Sequence, residues 1–113
     1  MEIPIPAAWK GAVARLLRRG RSGSVLITQR ARRDWAAMFP SKFEYELRDA
    51  LADALDHPAL MGRQVFGMIE PGEVYEFIFQ HEARSVYAKI CLQRPDLIVI
   101  VYSAHRPLKG DKL

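Results

Sequence analysis

From Val74 onward the apolar residues fall at every second position, and this constrains the chain more than anything else in it. Val74 to His81 sets Tyr75, Phe77 and Phe79 on one side and Val74, Glu76, Ile78 and Gln80 on the other. Arg84 to Leu92 repeats the pattern, with Val86, Ala88, Ile90 and Leu92 against Ser85, Tyr87, Lys89 and Cys91. A period of two belongs to a strand. The connections are short, so the two strands pair antiparallel. Gly62 to Met68 reads as a modest strand before the turn at Pro71-Gly72. Gln93-Arg-Pro-Asp96 turns the chain into a last strand, Leu97 to Arg106. A meander of this kind must have one face covered.

The cover comes from the first half of the chain. Trp9, Val13, Leu16 and Leu17 recur at helical spacing, which predicts a helix over Ala7 to Arg19, stopped by Gly20 and Gly23. Ser24 to Thr28 is a short β-branched run and reads as a strand. A second helix is expected over about Ala31 to Phe39, ended by Pro40. Ser41-Lys-Phe-Glu44 has the spacing of a capping box. It opens a third helix whose apolar face is Phe43, Leu47, Ala50, Leu51, Ala54 and Leu55, ending at Asp56-His57-Pro58. The expected class is α+β: an N-terminal helix, a short strand and a helix hairpin packed on a curved antiparallel sheet of about four strands.

At 113 residues the chain is expected to form a single domain, and with 50% hydrophobic residues it can bury a real core. Cys91 is the only cysteine, so an internal disulfide is impossible, which fits a reducing compartment without requiring one. No apolar stretch approaches the roughly 20 residues that span a bilayer. The N-terminus lacks the pattern of a secretory signal. The expectation is a cytoplasmic protein with no membrane partner. Charge is unevenly spread. Residues 1–33 hold eight Lys or Arg against Glu2 alone, a sum of +7, and the remainder holds nine bases against twelve acids, a sum of −3. A basic end favours a polyanion or an acidic partner, although a solvated helix face would look the same.

Candidate chemistry sits at the end of the last strand. Leu97-Ile-Val-Ile-Val101 is apolar on both faces, and then come Tyr102, Ser103, His105 and Arg106. If Ser103 and His105 point away from the helices, they share a surface with Glu76, Tyr87 and Lys89. An acid, a base, an imidazole and a phenol can act on a phosphodiester: one group deprotonates a ribose 2′-hydroxyl, cations hold the phosphate, and an acid protonates the leaving oxygen. Plainer readings stand beside this one. His105 can be a surface histidine, Glu76 and Lys89 a cross-strand ion pair, and Tyr87 and Tyr102 simply good strand formers. His57, His81, His105 and Cys91 lack metal-ligand spacing, so no metal is expected. Neither a GxGxxG nor a phosphate-binding loop is present, so no nucleotide cofactor is expected. In the tail from Pro107 to Leu113, Lys109 and Lys112 can touch phosphate.

Three stretches carry a resemblance to the RelE/ParE superfamily of bacterial toxins. They are Val25-Leu-Ile-Thr-Gln-Arg-Ala-Arg-Arg-Asp34; Phe43, Leu47, Ala50-Leu51, Leu55, His57-Pro58 and Gly62; and Ile98-Val-Ile-Val-Tyr-Ser-Ala-His-Arg106. The likeness covers about residues 24–106, leaving residues 1–23 as a basic helical extension and residues 107–113 as a tail. The resemblance implies a metal-independent endoribonuclease toxin. His105, Lys89 and Glu76 are the positions that match its catalytic residues; from the shared surface and the tail, Arg106, Tyr87, Ser103 and Lys109 are expected to bind substrate. The arginine usual on a central strand of the cleaving members is missing unless Arg63 or Arg84 replaces it. Implied partners are RNA, free or on a ribosome, and a cognate antitoxin or immunity protein; the surface also leaves room for a homodimer. Two alternatives stand: a non-enzymatic toxin that binds a protein, as in the ParE branch, and a basic nucleic-acid-binding module that uses the N-terminal arginines.

Overall fold

A computed structural model describes residues 1–40, 43–94 and 97–108. The elements run β1 (Ile3–Pro4), α1 (Ala7–Arg19), β2 (Val25–Ile27), α2 (Gln29–Met38), α3 (Glu44–Leu55), β3 (Met61–Val65), β4 (Glu73–His81), β5 (Arg84–Gln93) and β6 (Ile98–His105). The class is α+β, and the helices and the meander fall where the periodicity places them.

The sheet is larger than expected. It has six strands, not about four, in the order β1-β3-β4-β5-β6-β2, and it is mixed. β2 runs parallel to β6, with Val25 opposite Val99 and Ile27 opposite Val101. β1 pairs antiparallel with β3. A parallel pair between segments more than seventy residues apart leaves no local signal. A two-residue edge strand that includes a proline has no pattern to read at all.

The helices cover one face. Trp9, Val13, Leu17, Leu47, Leu51, Phe77, Ile90 and Val99 are almost wholly buried there. α1 is therefore part of the core. Trp9 donates from Nε1 to the Glu73 carbonyl at 3.1 Å and meets Tyr75 edge-on at 4.9 Å. Lys10, itself buried, donates from Nζ to the His57 carbonyl at 2.9 Å and so satisfies backbone just past the end of α3. Arg18 binds Asp53 and Asp56, which lowers the Asp56 pKa through that hydrogen bond and raises the Arg18 pKa in turn. Gly20 closes α1 in the left-handed conformation (φ 60°), its N–H bonded to the Leu16 carbonyl.

α3 does not begin as the capping box implies. Its N-cap residue is Phe43, with no side-chain cap, and Glu44 accepts from Arg32 at 3.1 Å. Ser41 lies outside the described residues, as do Pro95 and Asp96 of the turn before β6. The cap signal is strong at α2 instead: the Thr28 hydroxyl accepts from the Ala31 N–H at 3.1 Å.

The other face of the sheet is divided. Val74, Cys91 and Ile100 form a small second core with Val65, Met68, Ile98 and Tyr102. The 66–72 connection lies against it: the Tyr102 hydroxyl donates to Glu70 at 2.8 Å, and the Cys91 thiol points to the Pro71 carbonyl at 3.7 Å. Gly72, at φ 138°, passes so close to β5 that a Cβ there would sit 2.7 Å from the Leu92 carbonyl oxygen. This second core explains why β6 is apolar on both faces over its first half.

Candidate active site

Beyond the second core the same face turns polar, and register builds the site. Arg63 on β3 lies opposite Glu76 on β4, Glu76 opposite Lys89 on β5, and Lys89 opposite Ser103 on β6. One row of four side chains thus crosses four strands. The next row places Ile78, Tyr87 and His105 side by side.

A β-bulge in β6 makes this possible. Lys89 pairs with Ser103 but Ile90 pairs with Val101, so Tyr102 is an extra residue without a partner in the register. Strict alternation would put Ser103 and His105 on the same face as Val99 and Val101, under the helices. The bulge resets the phase: Val99 and Val101 stay inside while Ser103 and His105 point out beside Tyr102. Thr28 holds the bulge, donating its hydroxyl proton to the Tyr102 carbonyl at 3.0 Å while capping α2.

Within the site Glu76 is the hub. Tyr87 donates its phenolic proton to Glu76 Oε1 at 2.5 Å. Arg63 Nε stands 3.2 Å from Oε2 as an ion pair by distance, but its N–H is not aligned for a hydrogen bond. Glu76 is thus engaged by Arg63 and Tyr87, while Lys89 occupies the other side of it in the register. Tyr87 is buried, and its ring stacks on His105 at 4.9 Å with 23° between planes. His105 Nδ1 lies 2.7 Å from the Arg106 carbonyl oxygen. A carbonyl can only accept, so Nδ1 carries the proton in the neutral ring and Nε2 holds the free lone pair. Ser103 is 7% exposed and lies beneath this surface more than on it.

Burial raises the pKa of Cys91 and of Tyr102, whose bond to Glu70 pushes the same way. Burial thus disfavours the Cys91 thiolate and the Tyr102 phenolate alike.

At the end of the sheet a cleft of about 840 Å³ opens between α2 and the termini of β5 and β6. Arg106, exposed, lines it together with His105 and Leu108. Arg84, named above as a stand-in for the missing arginine, lies here and not in the polar row. It donates to the Met38 carbonyl at 3.0 Å and covers the Phe39 ring. Arg63 is the arginine that enters the row. The structure therefore brings Glu76, Tyr87, Lys89, Ser103 and His105 onto one face, with Arg106 at its end. Lys109 lies outside the described residues. Arg63 could be ranked above Arg84 only once the β3–β4 register was known, since β3 has little alternation of its own. Among the described residues no three His, Cys, Asp or Glu side chains come together as metal ligands would, and no helix is long and apolar enough to cross a membrane. Compared with known proteins, the chain matches no family model, no curated protein and no solved structure.

Proposed function

We propose that the protein is a toxin of the metal-independent endoribonuclease type. The observation that carries this reading is the placement of His105 beside Tyr87 and one residue pair away from Lys89, on a face kept clear of the helices. An imidazole with a free Nε2 and an ammonium so placed are the two groups that 2′-attack on a phosphodiester needs. His105 Nε2 takes the proton of a ribose 2′-hydroxyl, and the 2′-oxygen bonds to the adjacent phosphorus. The bond from phosphorus to the 5′-oxygen breaks. Lys89 neutralises charge on the non-bridging oxygens and gives a proton to the leaving 5′-oxygen. The products are a 2′,3′-cyclic phosphate and a 5′-hydroxyl. Glu76, engaged by Tyr87 and Arg63, fixes the ring on which His105 stacks. Arg106 holds a neighbouring phosphate.

The resemblance stated above supplies the toxin context, and with it an inhibitory protein partner. The reading through the N-terminal arginines is weaker, because Arg18 is already bound to two aspartates. The test is tightly controlled expression of the wild type and His105→Ala, following growth and total RNA together. Growth arrest with RNA fragmentation by the wild type alone is the expected result. Arrest by both proteins with intact RNA would replace this reading with a protein-binding toxin.

A further inference from the structure

The cleft beside the polar row has a composition that the row itself does not explain. Among the described residues three guanidiniums, Arg30, Arg84 and Arg106, and a single carboxylate, Asp34, stand around it. Its remaining wall includes Ala37, Met38 and Leu108, which are apolar. The volume, about 840 Å³, is that of a small-ligand site. Asp34 cancels little of the charge: it reaches Arg30 at 3.8 Å, a distance of weak pairing on a solvated helix face. Arg84 is held in place by the Met38 carbonyl and the Phe39 ring, which among the described residues use one nitrogen and one face of its guanidinium and leave other donors over. His105 belongs to both places. It stacks on Tyr87 in the site and also lines the cleft, as does Ser85 from the same face of β5.

A cationic rim over an apolar wall suits a nucleotide: phosphate to the guanidiniums, base against the aliphatic side chains. Because the cleft begins at His105, a strand whose scissile phosphate lies at His105 must continue into it or turn away. We infer that the cleft between α2 and the ends of β5 and β6 holds the single-stranded RNA segment flanking the scissile phosphate, with Arg30 and Arg106 on its backbone and a base against Ala37, Met38 and Leu108. This rests on the ribonuclease reading for the identity of the polymer, but binding and cleavage can be measured apart.

The probe is a fluorescein-labelled, mixed-sequence short RNA, 2′-O-methylated throughout so that 2′-attack is impossible, followed by anisotropy across a salt series. Arg30→Ala and Arg106→Ala should each weaken binding about tenfold. Each should also flatten the log–log salt dependence by about 0.7, the value for one lost phosphate contact on a single strand. Ala37→Trp, which fills the cleft from an exposed helix position, should weaken binding with the salt slope unchanged. Arg19→Ala, on α1, should bind as the wild type does. Circular dichroism and thermal melts confirm that each variant folds. Equal weakening by Arg19→Ala would reduce the effect to net charge and overturn the inference. So would wild-type affinity in the cleft variants, or a wild type that does not bind the probe. Cleavage of all-ribose RNA separates the two readings. Cleavage that is indifferent to the cleft variants sinks the cleft and keeps the nuclease. Cleft-dependent binding without cleavage does the reverse.

Discussion

The His105 imidazole is placed by three neighbours: the Tyr87 ring at its face, the Arg106 carbonyl at Nδ1, and the bulge that turns its strand outward. Tyr87 in turn depends on Glu76. Tyr87→Phe keeps the ring and loses the hydrogen bond, so it should cost about 1–2 kcal/mol of stability, read from chemical denaturation. A second phenol gives a pH signature. Burial and the bond to Glu70 raise the Tyr102 pKa in the folded protein, while in the unfolded chain it titrates near its ordinary value of about 10. The folded state then holds the proton longer, so this contribution to stability is fully present below about pH 10 and is lost as the pH rises above it. Melting temperatures measured from pH 9 to 11 should fall for the wild type and fall less for Tyr102→Phe. Equal slopes would mean that Tyr102 titrates alike in both states.

Among the elements, β6 and the β4–β5 hairpin decide the geometry. Thr28 serves two of them at once, capping α2 and bonding the carbonyl of the bulged residue. Thr28→Val keeps the shape and removes both bonds. It should cost about 1–2 kcal/mol and slow any reaction at His105 by more than its loss of stability alone explains. A Thr28→Ser control, which restores the hydroxyl, should recover both. The hairpin is made with the wrong residues for its turn. Glu82 and Ala83 hold φ of 50° and 64°, the pair of positive values that a type I′ turn requires and that Asn-Gly supplies without strain. The double replacement Glu82→Asn, Ala83→Gly should stabilise the fold by about 1–2 kcal/mol in the same denaturation assay. The sequence shows why the elements were readable and their assembly was not. Alternation around Phe77 and Ile90 identified two strands and their inner faces. The last strand was ambiguous because Ile98 and Ile100 cover a second core that only the 66–72 connection creates. The phase change at Tyr102 comes from one unpaired residue, which no periodicity records. The capping-box match at Ser41 did not mark the start of α3, whose N-cap residue is Phe43, whereas Thr28 caps α2.

At the scale of the whole molecule, the helices bury one face of the sheet and leave the other divided between a small apolar core and a polar row ending at a basic cleft. α1 is necessary to that arrangement, since Trp9 is almost wholly buried against Tyr75 and β4. The surplus of arginine read from the sequence separates into distinct uses: Arg18 ties α1 to α3, while Arg30 faces the cleft. Which of them share the cleft was not legible without the fold, because Arg84 and Arg106 join Arg30 only through the packing of α2 beside β6. If His105 and Lys89 cut RNA by 2′-attack, as proposed above, the chemistry of the new ends reveals it. Purified wild type and His105→Ala are incubated with an all-ribose RNA in the presence of a chelator, and the fragments are read for their termini. The wild type should leave 2′,3′-cyclic phosphate and 5′-hydroxyl ends, with His105→Ala slower by about 100-fold or more. Intact RNA with a folded wild type, or equal rates for the two proteins, would contradict it.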